Sequence, residues 1–246
     1  ASSLSGGSRA GQWMLLEQAV AEARAGSGDL LTRAGRATLA RYLAGGRVVF
    51  QVDRAADIRQ VLAFAKKNGM RPVIAGGAEA WRVAAELKAA DAVVLVDALA
   101  NLPGSFDSLA SGLDTAARLH RAGVKVGFSQ RGDATHNARK QRQLAGNAVA
   151  HGLPWDAALA GLTAVPADAF GVSRRGRIAV GQAADLVLWS GDPLEVNSVA
   201  LQVWMDGAAI PMRSRQTELR DRYLRTVPSA EKGGLPRAYP PAGGVR

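Results

Sequence analysis

The chain has 246 residues, 48% of them hydrophobic and 21% charged, a globular balance that leaves room for one large domain or two small ones and excludes global disorder. It contains no cysteine and three histidines, so disulfides, thiolate metal sites and a cysteine nucleophile are excluded, and a histidine-rich metal site has to be incomplete. The formal net charge is +10, but no aromatic residues interleave with the basic ones as single-strand nucleic-acid binders require, and no apolar run approaches the roughly 20 residues of a membrane span.

The opening ASSLSGGSRAG is flexible by composition, and a start at Ala with no apolar signal core reads as a processed product or a piece of something longer. Val48, Val49, Phe50 and Val52 then predict a buried strand, and a helix over 55–68 follows, with Ile58, Val61, Leu62 and Ala65 on one face. A second strand over 72–75 stops at Gly76-Gly77, ahead of a helix over 78–90. Val93 to Val96 form a third strand, and a helix over 107–121 ends at Ala122-Gly123. Val124 to Phe128 form a fourth. Four successive strand-then-helix units predict a parallel sheet or barrel with helices outside.

Two consecutive helices over 137–150 and 154–163 come next, with Pro154 opening the second. Ile178 to Val180, Ala184 to Trp189 and Val199 to Met205 are three short β-type runs, expected to form a small antiparallel sheet. Ser214 caps a final Arg-rich helix over 214–224, and a loose tail runs over 228–246. The fold class is therefore α/β: a flexible start (1–15), a partial β/α barrel of about four units (16–172), a small β-rich subdomain (173–212), a helix (213–227) and a flexible tail (228–246).

The segment AALAGLTAVPADAFGVSRRGRIAVGQAADLVLWSGDPLE, Ala157 to Glu195, resembles the C-terminal signature of the amidohydrolase superfamily. Leu159, Thr163, Pro166-Ala167, Gly171-Val172, Gly176, Ile178, Gly181, Ala184-Asp185-Leu186-Val187 and Gly191-Asp192-Pro193-Leu194 sit at its spacing, with Val203, Asp206 and Gly207 as the strand that follows. The nearest likeness is to the imidazolonepropionase-like branch, whose members hydrolyse cyclic amides, deaminate heterocycles or cut dipeptides. The signature identifies a family without itself carrying chemistry, since its glycines serve turns.

The resemblance implies a hydrolase of non-peptide carbon–nitrogen bonds, a small-molecule amide substrate, and zinc or another divalent metal that polarises a carbonyl and activates water. It also implies that the four strands are the barrel's fifth to eighth, and the HxH metal pair of the first strand occurs nowhere in the chain. Gln51 stands where the fifth strand has its His, Gly76-Gly77 and Glu79 stand at the end of the sixth, and Arg131 stands where the eighth has Asp. Gln51 is a poor zinc ligand and Arg131 repels a cation, so no metal ligand is assigned.

The residues themselves offer a different constellation. Asp53, Glu79, Asp97 and Asp133 follow predicted strands on the face where barrel sites lie, and His136 is three residues past Asp133. Asp133 and His136 are the candidate acid–base pair; Arg131, Gly76, Gly77 and Glu79 are the candidate substrate-binding residues. Carboxylates with one His could equally bind a hard divalent ion, and the same carboxylates also read as loop caps and arginine partners. Three functions stay open: an amidohydrolase-type hydrolase, a catalytically degenerate member that serves as scaffold or binding partner, and an anion or nucleic-acid binder. Half a barrel leaves strand edges to cover, so either a second copy or a complementary half-barrel is expected as partner.

Overall fold

The computed structural model describes residues 5–100, 102–130, 138 and 140–224. The tail over 228–246 lies outside the described residues, as do Arg131, Asp133 and His136. Two compact units result, Ala1–Ala183 with Gly191–Val199, and Ala184–Ser190 with Ala200–Arg246.

The first unit opens with two helices, α1 (Arg9–Ala25) and α2 (Arg33–Tyr42). Helix α1 takes in residues 9–15 of the stretch read as flexible, because Ser8 supplies an N-cap, its side chain accepting from the Gly11 N–H, and Gly26 closes the far end in the left-handed conformation. Four strands follow, β1 (Arg47–Val52), β2 (Arg71–Gly76), β3 (Val93–Val96) and β4 (Lys125–Phe128), in the order β1-β2-β3-β4 and all parallel. Helices α3 (Ala55–Asn68), α4 (Ala84–Ala89) and α5 (Thr115–Arg121) connect them, which makes a partial β/α barrel.

Two of these helices are shorter than the periodicity predicts. The stretch over 78–90 enters α4 through a tight 3-10 turn at Ala80–Val83, and the stretch over 107–121 is helical only from Thr115, after a capped turn at Phe106–Ser108 and Gly112. Helices α6 (Gln141–Ala150), α7 (Trp155–Leu162) and α8 (Ala164–Phe170) complete the unit.

The main core lies between the sheet and the helices, where Ile58, Val61, Ile74, Leu87, Val94, Leu119, Val126 and Leu144 are buried. On the opposite face Val73, Val93 and Leu95 pack against Ala169 and Val165 of α8. Every residue of the central strand β3 is buried, and no residue of β1 is. That contrast marks β1 as the open edge of the sheet.

The second unit holds an antiparallel sheet of β5 (Leu186–Trp189), β6 (Ala200–Met205) and β7 (Ala208–Ile210), followed by α9 (Arg215–Leu224). The expected strand over 178–180 does not form. Ile178 and Val180 are fully exposed, in a loop where the Ala183 N–H donates to the Arg174 carbonyl. A short apolar run becomes a strand only where a neighbour supplies a ladder, and none is present there. The third place in the sheet goes to β7, which Asp206-Gly207 brings back onto β6 with both residues at positive φ, 47° and 83°. Asp-Gly is a favoured pair for such a hairpin turn.

Between α1 and α2 the chain wraps around one carboxylate. The Glu22 side chain accepts from the N–H groups of Asp29, Leu30 and Leu31. A Cβ on Gly28 would lie 2.2 Å from the Glu22 carboxyl carbon, so this close approach needs a glycine. Those backbone donors, Leu30 and Leu31 foremost, hold the Glu22 carboxyl below its ordinary value. A depressed acid contributes stability that is present above the unfolded value, near 4.5, and is lost as pH falls through the folded one. Glu22→Gln should therefore lower the urea midpoint at neutral pH, and the gap to the parent protein should narrow as pH falls from neutral through the unfolded value near 4.5 and below it. A gap that does not change across that range would refute the role given to the ionised form.

Candidate functional site

The C-terminal ends of the four parallel strands form one rim, and barrel chemistry is carried on such a rim. Gln51, Ala75, Leu95 and Gly127 stand at one level of the register, on the face away from α3 to α5. Asp53, Gly77, Asp97 and Ser129 follow two residues further along each strand. The position that the resemblance assigns to a ligand on β1 thus carries an exposed amide, Gln51, and its neighbours at that level are two aliphatic residues and a glycine.

The loop after β2 is bound into the fold by its own polar groups. The Gly77 N–H donates to the Val52 carbonyl (2.8 Å), the Glu79 N–H to the Asp53 carbonyl (2.8 Å), and the Ala78 N–H to Asp53 Oδ1 (3.2 Å). Gly76 and Gly77 both have positive φ, 96° and 65°, and a Cβ on Gly76 would come 2.6 Å from Asp53 Oδ1. The glycines let the loop lie against the end of β1, where the Gly77 N–H meets the Val52 carbonyl.

Glu79 has a structural task as well. Its Oε2 accepts from the Ala55 N–H (2.9 Å), the first residue of α3, whose N-cap Arg54 makes no side-chain cap of its own. Oε1 lies 3.6 Å from the Arg82 guanidinium. A carboxylate at a helix N-terminus meets both an orphan donor and the positive end of the dipole. Glu79→Ala should cost about 1 kcal/mol, read as a lower urea midpoint, and Glu79→Gln, which keeps an acceptor, should recover part of it. Equal losses in the two variants would remove the cap from the account.

Asp97 is turned to its own loop, with Oδ1 accepting from the Leu99 N–H (3.1 Å), and Ser129 Oγ donates to the Leu95 carbonyl (3.2 Å). Between Gly76-Gly77, Asp97 and the loop at Ser111 lies a cleft of about 10 Å³, room for one water and far too little for an amide substrate. Trp81 pins the β3–α5 loop: its Nε1 donates to the Ala110 carbonyl (3.2 Å), and the Arg82 and Arg118 guanidinium groups lie 5.1 and 4.6 Å from its ring centre. The Asn147 side-chain amide holds the same loop through the Ala98 carbonyl. No feature of the sequence marks Asn147 for this contact. His120 is exposed on α5, and His151 Nδ1 pairs with the Asn147 carbonyl (2.7 Å) at the end of α6.

Of the sequence-derived candidates, the structure thus brings together Gly76, Gly77 and Glu79 with Asp53. Arg131, Asp133 and His136 belong to a segment outside the described residues.

An Amidohydrolase family sequence profile matches residues 37–212, most of the chain. The chain belongs to the amidohydrolase family. A 60-residue stretch is 50% identical to amidohydrolase tasK of Hapsidospora irregularis, covering 24% of this chain and 6% of that protein. An amidohydrolase of Thermotoga maritima MSB8 has the same fold, with a TM-score of 0.75 over 84% of this chain and 57% of the other, at 23% identity. An uncharacterized protein of known structure matches at a TM-score of 0.53 and 21% identity, over 74% of this chain and 48% of its own. The chain thus spans about half the length of the solved structures it is similar to.

The amidohydrolase family is generally metal-dependent. The described residues show no cluster of ligands for such an ion. No group of three or more His, Asp or Glu among them could hold a metal. Asp53 and Glu79 each accept from backbone N–H groups, and Gln51 is a neutral amide on an exposed edge strand. No helix among the described residues is long and apolar enough to cross a membrane.

Proposed function

We propose that this chain is the C-terminal portion of an amidohydrolase-type hydrolase of the imidazolonepropionase-like branch, acting on non-peptide carbon–nitrogen bonds of a small cyclic amide, an N-acyl compound or a dipeptide-like substrate. The observation that carries this reading is the rim itself: four parallel strands of a partial barrel end side by side in a chain that the family profile matches from 37 to 212. In the reaction a water oxygen adds to the amide carbonyl carbon, the carbon–nitrogen bond breaks, and the proton taken from water is returned to the leaving nitrogen. Asp133 or His136 would move that proton, and Arg131 would face the charge that develops on oxygen. The HxH motif and a competent ligand set would come from outside this chain.

A second reading, a degenerate member kept as scaffold or binding partner, is favoured by the internal commitment of Gly77, Glu79 and Asp53 to the fold. A panel of cyclic amides, N-acyl amino acids and dipeptides separates the two. The chain alone should turn over none of them, and joined to a complementary half-barrel it should hydrolyse one class, with Asp133→Ala or His136→Ala reducing kcat about 10²–10⁴-fold. Turnover by the chain alone that Asp133→Ala abolishes would show a working site within it. An inactive joined protein would move the conclusion to the scaffold.

A further inference from the structure

On the outer, helix-bearing face of the first unit a groove of about 590 Å³ runs between α3 and α4. That volume lies within the roughly 300–1,000 Å³ of small-molecule sites. The outer layer is uneven there: α3 has 14 residues and α4 only 6, and the side chains that meet across the gap are short, Ala63 on one side and Ala89 and Ala90 on the other. Met70 and Pro72, both buried, form the floor at the entry to β2. The groove therefore sits at the end of the sheet opposite the rim.

Its wall on α3 is a single stripe. Arg59, Leu62, Ala63 and Lys66 are spaced i, i+3, i+4 and i+7, on one helix face about 10 Å long. Charges stand at the two ends and the middle is hydrocarbon. At one end Arg59 Nε donates to both carboxylate oxygens of Glu86 (3.0 and 2.9 Å), which ties α3 to α4 and satisfies the acid of the lining. At the other end Lys66 is exposed, and no carboxylate among the described residues pairs with it, whereas its neighbour Lys67 is held by Glu17. A hydrocarbon slot thus ends in one unpaired cation.

We infer that this groove binds an amphipathic monoanion, an unbranched aliphatic carboxylate, with its chain along Leu62, Met70 and Ala90 and its head group at Lys66. The inference rests on the fold, not on the hydrolase reading. The stripe takes about eight extended carbons, at about 1.3 Å per carbon for single bonds of about 1.5 Å. Among the residues that line the groove only Arg59, Glu86 and Lys66 carry polar side chains, so a sugar, a nucleotide or a peptide strand would leave its own donors and acceptors unpaired there. The Arg59–Glu86 bridge stops a helix or strand of another protein from running through. An alkyl chain gives up no hydrogen bond in the slot, and its carboxylate stays in water beside the ammonium group.

The test titrates butanoate, hexanoate, octanoate and the neutral octanamide, below micelle-forming concentrations, into the whole chain, read by amide NMR shifts and calorimetry. Octanoate should shift the amides of Leu62, Met70 and Ala90, and Kd should fall about twofold per added carbon, where full burial of a methylene gives about fourfold. Octanamide should bind about threefold more weakly, and Lys66→Met, which keeps the stem and removes the charge, should make the two ligands equal. Ala63→Leu and Ala89→Leu, at exposed helical positions on opposite walls, should each fill the slot and weaken octanoate at least about tenfold. Ala85→Leu, equally exposed on α4 but outside the groove, should not. An unchanged urea midpoint certifies the fold of each variant. The inference is overturned by no shift at those amides up to about 10 mM octanoate, by binding indifferent to both alanine-to-leucine variants, or by equal affinity of the parent chain for octanoate and octanamide. It is also overturned by octanoate binding that appears only after truncation at Leu224, or by a homodimer that Ala63→Leu separates, which would give the groove to the chain's own tail or to a second copy.

Discussion

Replacing Ile74 with alanine should lower the stability of the protein by about 2–5 kcal/mol and the urea midpoint by about 1 M or more. Ile74 lies at the middle of β2 with no exposed surface, in the core that Ile58, Leu87, Val94 and Leu119 fill between sheet and helices. Truncation removes three buried methyl or methylene groups from a region that is tied on both sides by parallel strands, β1 and β3. The backbone there has little freedom to collapse, so a cavity term adds to the lost transfer energy. Val49→Ala is the matching control. It is the same kind of aliphatic truncation on the neighbouring strand, at a residue that is half exposed, and it should change stability by no more than about 0.5 kcal/mol. Equal effects at the two positions would mean that β1 is not an edge in solution.

The second large effect is expected at Gly161, on α7. Glycine in a helix interior is ordinarily improved by alanine, by up to about 1 kcal/mol. Here the added Cβ would meet the Phe128 ring at 2.7 Å and the Val126 carbonyl oxygen at 2.9 Å. The ring can turn, but the carbonyl is part of β4 and can move only with the strand, so an overpacking cost of about 1–3 kcal/mol outweighs the gain in propensity. Gly161→Ala should destabilise the protein. Gly127→Ala should cost less, because its closest clash, 2.7 Å, is with the end of the Leu95 side chain, which has other rotamers. A reversed order in urea unfolding would show that α7 does not sit on the edge of β4.

The parts of this protein that its sequence determines alone are those set by short-range chemistry. The four strand cores Val48–Val52, Pro72–Ala75, Val93–Val96 and Val124–Phe128 are runs of apolar, mostly branched residues between turn residues, and each lies in an observed strand or within one residue of it. Helix α3 matches its predicted span, Ala55–Asn68, because its apolar spacing, its acidic first turn and Gly69 at its end all agree. The segment Ala157 to Glu195 likewise carries enough turn and core residues at constrained positions to identify the amidohydrolase family.

Whatever depends on a partner distant in sequence was decided only by the tertiary structure. Ile178 to Val180 has the composition of a strand and no ladder to join, whereas Ala208–Ile210 is weakly β in composition and is a strand because Asp206-Gly207 folds it onto β6. Helix α1 escapes a reading by composition because its Ser8 cap and its packing of Trp13 on Phe64 outweigh a glycine- and serine-rich start. Glu79, named from its place after a strand, accepts from the Ala55 N–H, 24 residues earlier, and the Gly77 N–H donates to the end of β1, contacts that no local pattern shows. Which of two equally polar groups faces a substrate and which closes a loop depends on where a backbone donor is left without a partner. That follows from how the strands and helices pack, not from the residue or its neighbours in the chain.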